Sequence, residues 1–374
     1  TMPRPKKAAP KKLRSGDAVA KRLATKVPRI EPVPFTDYLS TGCTLLNLAL
    51  TQRPDGGVPI GAFFYIVGDS GAGKTWGAFD LLAEAAQNPR FDKHRFVFDN
   101  AENGALMDVA KFFGQRVADR LEPPMVEDGA PRYSDTVQEF YYNVTRACRT
   151  GPCIYILDSM DALNDDADET HLDLAIREYE GEKVKVPGSM GMNKAKTNSK
   201  NINRVIRRLR SSGSILVVIS QTRDMVNSHI PNQKTRSGGR ALKFFAHLEI
   251  WTKPLKPLTK THNGKEREIG STVKVDVRKN RACGWEGSME LPFYKGYGID
   301  EPGSLVDYLV EERHWDETDG KITAPEFNLK GLTREKLAQA IDTDDRIDKV
   351  REIVTQVWTS IREGAAPNRR PRYT

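Results

Sequence analysis

Residues 68–75 read Gly-Asp-Ser-Gly-Ala-Gly-Lys-Thr, and no other stretch restricts the fold as tightly. A Gly-x-x-x-x-Gly-Lys-Thr run works only at a strand–turn–helix junction, where backbone N–H groups turn inward around a chain of phosphates. Both flanks comply. Phe63–Val67 is an apolar run of strand length, and Thr75–Ala86 reads as a helix. Gly68, Asp69, Ser70, Gly71, Ala72 and Gly73 would then form the cradle. Lys74 would neutralise the β- and γ-phosphates, and the Thr75 hydroxyl would hold Mg²⁺. A parallel α/β core that takes a nucleoside triphosphate with Mg²⁺ is the expectation.

The rest of the chain keeps this rhythm. Further apolar strands are predicted at Phe96–Phe98, Ile154–Leu157, Ile215–Ile219, Leu248–Trp251 and Val273–Val277. Helices are predicted at Ala105–Phe113, Thr136–Arg149 and Ser199–Arg210. Alternation of this kind argues for a mostly parallel sheet with helices on both faces, and the last two strands, with no helix between them, for an antiparallel extension. Asp158 ends an apolar run, the position of a Walker-B carboxylate that binds Mg²⁺ through water. The second strand ends in Phe98-Asp99-Asn100-Ala101-Glu102, which offers two carboxylates, Asp99 and Glu102, as the base that polarises an attacking water.

Charge is distributed unevenly over the 374 residues. Of a net +8, residues 1–29 contribute +9, with ten Lys or Arg against Asp17 alone. Residues 158–182 hold ten acids against Arg177, and residues 183–210 hold nine bases and no acid. Such blocks suit a polyanion partner. Residues 1–34 read as a flexible basic arm with one short helix over 17–25, residues 35–300 as the ATPase core, and residues 301–374 as a small helical region with a basic tail. In the last region Ile347, Val350, Ile353, Val354, Val357, Trp358 and Ile361 share one helical face. No apolar run approaches the length of a membrane span, and no signal-peptide pattern opens the chain. Cys43, Cys148, Cys153 and Cys283 lack zinc spacing and suit reduced thiols of a cytoplasmic protein.

One more stretch carries information about function. The strand Ile215–Ile219 ends in the polar Gln221, and about twenty polar, basic and glycine-containing residues follow before apolar character returns near Leu242. A polar loop that long inside a packed domain is usually functional. Gln221 cannot titrate, but it can hydrogen-bond a γ-phosphate or its water and leads straight into the loop. Tying down a turn is the plainer role for such an amide.

Ser220-Gln221, this loop and its closing run Gly238-Gly239-Arg240-Ala241-Leu242-Lys243-Phe244 resemble the bacterial RecA recombinase family, in which a strand ending in Asn-Gln or Ser-Gln leads into a DNA-binding loop that closes on Gly-Gly-x-Ala-Leu-Lys-Phe. Ordered motifs extend the resemblance over roughly residues 36–360. They are Ser40-Thr41-Gly42, the P-loop, Leu157-Asp158-Ser159-Met160-Asp161-Ala162-Leu163, Val273–Arg281 and Gly303-Ser304-Leu305-Val306-Asp307.

The resemblance implies a RecA-like ATPase that forms a helical filament on single-stranded DNA and exchanges strands with duplex DNA. It implies Glu102 as the catalytic base, although Asn100 is an extra residue here and leaves Asp99 a rival. It implies that Lys279 and Arg281 reach the γ-phosphate of a neighbouring subunit, with Arg281 replacing a lysine. It implies two DNA-contacting segments, one with Lys183, Lys185, Met190, Met192 and Lys194, the other with Arg223, Lys234, Arg236, Gly238, Gly239 and Arg240. The family stacks adenine on an aromatic residue in the helix after the base; residues 104–114 have no clear counterpart, and Asp108 is a weak candidate. Both ends depart from the family, the arm lacking a clear polymerisation helix and the tail being basic rather than acidic, which would suit a virus-encoded relative. A ring-forming RecA-fold helicase and an ATP-gated DNA-binding accessory protein are the competing readings.

Overall fold

The computed structural model describes residues 37–164, 193–224, 234–236, 239–367 and 369. In chain order the principal elements are helix α1 (Thr44–Thr51), strand β1 (Phe63–Gly68), α2 (Lys74–Gln87), β2 (Arg95–Asp99), α3 (Val137–Thr150), β3 (Cys153–Leu157), α4 (Asn193–Ser212), β4 (Ile215–Asp224), α5 (Gly239–Phe245), β5 (Leu248–His262), β6 (Lys265–Asn280), β7 (Gly287–Tyr294), β8 (Gly298–Ile299) and α6 (Glu301–Glu311). The main sheet runs β8-β7-β6-β5-β1-β4-β3-β2. Its five strands from β5 to β2 are parallel, and β6, β7 and β8 extend it antiparallel. The fold is α/β with a RecA-like core.

Strand periodicity explains how one sheet feeds two cores. Along β1, Phe64 and Ile66 enter one apolar cluster, while Phe63, Tyr65 and Val67 enter the other. Along β4, Ile215, Val217 and Ile219 face the first cluster, and Leu216 and Val218 the second. Helix α2 supplies Ala78, Phe79, Leu81 and Leu82 to the first face. Helices α3 and α4 cover the second with Phe140, Val144, Ile202, Val205 and Leu209, leaving Arg204 and Arg207 exposed. Burying each of these large apolar side chains stabilises the fold by about 1.5–3 kcal/mol.

Several elements differ from their sequence-based bounds. The helix expected over Ala105–Phe113 is confined to Val109–Phe113, because Asp108 caps it by accepting from Lys111 N at 3.0 Å. Strand β4 does not stop at Gln221 but runs to Asp224 and pairs antiparallel with a short strand, Lys234–Arg236. Strands β5 and β6 are far longer than the apolar runs within them. Their outer halves form an exposed hairpin closed by Asn263 and Gly264, both at positive φ. Cross-strand pairing and the turn hold it together, with little apolar burial.

Residues after α6 add a three-stranded antiparallel sheet (Asp316–Thr318, Lys321–Ala324, Leu329–Leu332) and helices α7 (Arg334–Thr343) and α8 (Ile347–Ala365). The expected apolar face of α8 is present, with Val350, Ile353 and Val354 buried in the same cluster as Leu45 and Leu48 of α1. A carboxylate ties this region to the core. Cys43 gives α1 no side-chain cap, and Glu301, at the start of α6, substitutes for it by accepting from Thr44 N at 3.1 and 3.2 Å and from the Thr44 hydroxyl. Arg351 of α8 donates to the same carboxylate at 3.3 Å. Glu301→Ala is therefore expected to lower the unfolding free energy by about 1–3 kcal/mol. Urea denaturation checks this; an unchanged midpoint would show that the long-range cap contributes nothing.

Candidate functional site: a P-loop cleft at the carboxyl end of the parallel strands

The P-loop leaves β1 at Gly68 and enters α2 at Lys74. Two glycines are sterically required. A Cβ at Gly68 would collide with the Thr252 backbone, and one at Gly73 would come within 2.9 Å of the Phe293 ring. Gly73 also sits at φ +72°, a conformation that L side chains rarely adopt. Lys74 Nζ reaches back across the loop and donates to Asp69 O at 2.7 Å, and the Asp69 carboxylate accepts from the Thr222 hydroxyl.

Parallel register delivers the other groups to the same end of the sheet. Gly68 is level with Gln221 of β4, and Leu157, just before Asp158, is level with Val218. Thr75 Oγ1 donates to Asp158 Oδ2 at 2.6 Å. Glu102 accepts from Gln221 Nε2 at 2.7 Å through one oxygen and from Ser159 Oγ at 3.0 Å through the other. Asp161 anchors Gln221 from behind, its Oδ2 accepting from Gln221 N at 2.6 Å and Ser220 Oγ at 2.8 Å. The resulting cleft of ≈ 330 Å³ is lined by the loop from Ser70 to Thr75, by Glu102, Asp158 and Gln221, and by the aromatic Trp76 and Phe293.

Burial pushes the Lys74 ammonium below its ordinary pKa, against the pull of Asp158, Glu102, Asp69 and Asp161. Burial likewise pushes Asp158 above the ordinary carboxylate value; Glu102 adds to the rise, while Thr75 and Lys74 oppose it. A site with several carboxylates around one lysine disfavours bare phosphates and favours a cation that arrives with them. Thr75 Oγ1 and the Asp158 carboxylate are hard oxygen donors of the kind Mg²⁺ takes when it keeps waters and phosphate oxygens as its other ligands. The residues present fit that ion.

The two rival carboxylates occupy different environments. Asp99 is buried and faces away from the cleft, its oxygens accepting from Ser134 N at 2.9 Å, Ser134 Oγ at 2.6 Å and Tyr155 Oη at 2.6 Å. Glu102 is exposed and lines the cleft. The extra residue, Asn100, is absorbed in a turn, its side chain bonded to both backbone groups of Ala105.

Lys279 and Arg281 are not brought to this cleft. Lys279 pairs with Glu249, itself level with Tyr65, three residues back along β1 from Gly68, or about 10 Å. Their head groups turn to the carboxyl end of α5, where Lys279 Nζ donates to Lys243 O at 2.5 Å and Phe244 O at 2.6 Å, and Arg281 Nη2 to Phe244 O at 2.7 Å. Of the DNA-contact candidates, Arg223, Lys234 and Arg236 fall on one β-ribbon, with Thr222 level with Arg236 and Asp224 with Lys234. Gly239 opens α5, and Arg240 beside it is exposed. Lys194 lies in the first turn of α4. Lys183, Lys185, Met190, Met192 and Gly238 lie outside the described residues, as do the basic arm and most of the tail.

A family model, the RecA N-terminal domain, matches residues 174–300. Protein RecA of Thermus thermophilus is 26% identical over 331 residues, which cover 87% of this chain and 86% of that protein. Protein RecA of Clostridium acetobutylicum is 27% identical over 281 residues, 74% of this chain and 70% of the relative. Protein RecA of Geobacter sulfurreducens is 27% identical over 287 residues, 75% and 74% respectively. Over most of its length the chain is similar to RecA proteins. Within this cleft, Ser159, Asp161, Trp76 and Phe293 had no role in the sequence-based expectation. Asp161 and Ser159 lie inside a quoted motif whose spacing says nothing about partners. Phe293 is more than two hundred residues from the loop it touches, so no local pattern marks it.

The geometry separates the two carboxylates by stability alone. Asp99→Asn should cost about 1–3 kcal/mol, because a buried donor replaces an acceptor of three hydrogen bonds. Glu102→Gln should stay within about 0.5 kcal/mol, as an exposed isosteric change. Urea midpoints of the two variants check this, and equal losses would contradict the assignment of Asp99 to the scaffold.

Proposed function

We propose that this chain is a DNA-dependent ATPase and recombinase, which assembles with Mg²⁺-ATP into a helical filament on single-stranded DNA and promotes homologous pairing and strand exchange with duplex DNA. Hydrolysis then releases the filament. The observation that carries this reading is the separation of Lys279 and Arg281 from their own P-loop, with Lys279 level with Tyr65, about 10 Å back along β1 from Gly68. Two cations so close to each other, yet out of reach of their own cleft, suit a phosphate presented by a neighbour.

In this reading the P-loop and Lys74 hold the phosphates, while Thr75 and, through water, Asp158 hold Mg²⁺, which offsets the charge developing on the phosphoryl oxygens. Glu102 polarises the attacking water. Gln221, bonded to Glu102 and leading along β4 toward residues 225–238, couples the phosphate end to the DNA-contacting segment. Lys279 and Arg281 of one subunit stabilise transition-state charge on the next, so hydrolysis depends on assembly. The basic ribbon, Arg240 and the segment around residues 183–194 hold DNA mainly through phosphate, so binding is sequence-tolerant and weakens steeply with salt.

Electron microscopy with single-stranded DNA and a non-hydrolysable ATP analogue tests the assembly. Helical filaments are expected; closed rings would favour a helicase, and no ordered assembly an accessory factor. Glu102→Gln should slow hydrolysis about 10²–10⁴-fold while ATP still binds. Lys279→Ala and Lys74→Ala proteins, each inactive alone, should regain DNA-stimulated hydrolysis when mixed, because a mixed interface pairs an intact P-loop with an intact cation pair. Absence of rescue in proteins shown to co-assemble would rule out action across the interface.

A further inference from the structure

A second pocket lies between β6, β7, α6 and α8 and shares no lining residue with the nucleotide cleft. Its volume of ≈ 580 Å³ falls within the range of ligand sites, roughly 300–1,000 Å³. Helical spacing explains why its residues meet. Ser304, Tyr308 and Glu311 follow one another by a turn along α6, as Trp358, Ile361 and Arg362 do along α8, so each helix turns one face to the pocket. Lys274 of β6 and its cross-strand partner Glu290 of β7 close a third side.

Three partly buried rings form one wall of it. Trp285 packs against Trp358 at 5.7 Å between centroids, and Tyr308 packs against Trp358 at 5.9 Å. Gly287 makes room for the first of these, since a Cβ there would collide with the Trp285 ring. The Trp358 indole N–H is buried and has no acceptor among the described residues, and a buried donor in that state favours a ligand that brings it a carbonyl. Among the described residues no Lys or Arg lies over any of the three rings.

Around the wall the lining is acidic. Asp307 is held by Arg334 at 2.6 and 2.8 Å, but Glu290, Glu311 and Glu312 are exposed. Of the two bases in the lining, Lys274 and Arg362, the first pairs with Asp276 at 3.1 Å. Among the described residues neither base pairs with Glu290, Glu311 or Glu312. Burial, followed by Glu312 and Glu311, pushes the Tyr308 phenol above its ordinary pKa, so the field of these two carboxylates reaches the aromatic wall.

This combination selects a ligand. Carboxylates repel nucleic-acid phosphates, whereas aromatic faces attract a cation. A guanidinium suits the pocket better than an ammonium, because it is planar, weakly hydrated, stacks on rings and takes a carboxylate through two parallel N–H donors. We propose that this pocket receives an arginine side chain from a basic segment of a partner protein, with the guanidinium on the Trp285–Trp358–Tyr308 wall and paired to Glu311 or Glu312. The inference does not depend on the reading of the P-loop cleft.

Calorimetric titration of the full chain with acetyl-Gly-Arg-Gly-Arg-Gly-amide, at a salt concentration of about 0.15 M that screens distant charges, tests this. Saturable binding is expected, about 2- to 5-fold tighter than that of the lysine counterpart. Trp285→Leu should weaken it by about 2- to 30-fold, and so should Glu311→Gln combined with Glu312→Gln. Asp348→Asn combined with Glu352→Gln removes the same charge from α8 outside this pocket and should leave the affinity unchanged. Urea midpoints near wild type would show that the variants fold, and the exposed glutamate pair decides the matter if Trp285→Leu does not. A wild-type dissociation constant above about 1 mM would overturn the proposal. Wild-type affinity in the folded pocket variants would overturn it too, as would equal weakening by the Asp348 and Glu352 changes. A lysine peptide that binds as tightly as the arginine one would overturn the assignment of a guanidinium.

Discussion

The parallel register of β1 with β4, and of β4 with β3, is the constraint on which the site depends. It sets Gly68 level with Gln221 and Leu157 level with Val218, so the P-loop, Asp158 and Gln221 emerge at one end of the sheet within hydrogen-bond reach of a common cleft. A slip of one residue would exchange the two apolar faces of a strand and send every one of these groups to the wrong place. The register is held by burial on both faces. Phe64 and Ile66 belong to one core and Phe63, Tyr65 and Val67 to the other, so a displaced β1 would lose packing on each side at once. Ligands in open α/β sheets gather beyond the carboxyl ends of the strands for the same reason.

Electrostatics and packing then divide the cleft into two parts with different tasks. Around the P-loop, Lys74 and Asp158 share a partly buried setting that favours the neutral form of each, lowering the lysine's pKa and raising the carboxylate's. Such a cluster is best stabilised by a divalent cation and phosphates arriving together. Beyond Thr75 the lining turns aromatic, with Trp76 and Phe293. The cation pair Lys279 and Arg281 stands outside both parts. It caps the last carbonyls of α5, the helix that begins where the ribbon of Arg223, Lys234 and Arg236 ends. One short helix thus lies between the ribbon proposed to contact DNA and the cation pair proposed to act on a neighbour.

What the sequence made legible was whatever is local or apolar. The P-loop is contiguous, and its strand and helix carry clear periodicities. Asp158 follows five buried residues, so its place at a strand end was readable. The outer halves of β5 and β6 were not, because an exposed hairpin satisfies its backbone by cross-strand pairing and shows no apolar alternation. The three-stranded sheet after α6 is short and mostly exposed and left as faint a trace. The helix start near Asp108 was misplaced because residues 105–107 contain helix formers, while the cap that decides the boundary is a side-chain hydrogen bond. The choice between Asp99 and Glu102 turned on Ser134 and Tyr155, residues distant in sequence that claim Asp99 for the scaffold. Long-range hydrogen bonds of this kind leave no periodic signal.

The central claim is that nucleotide and DNA sites communicate through the Glu102–Gln221 contact at the head of β4. Gln221 is neither charged nor part of the basic ribbon, so it can influence DNA affinity only by biasing the segment that follows it toward one of two states. The most direct measurement is single-stranded DNA affinity with and without a non-hydrolysable ATP analogue, in wild type and in Gln221→Ala, with ATP binding followed in parallel. The account predicts that the variant binds the analogue almost as wild type does yet loses the nucleotide-dependent gain in DNA affinity. An equal gain in both proteins would contradict it and place the coupling elsewhere in the fold.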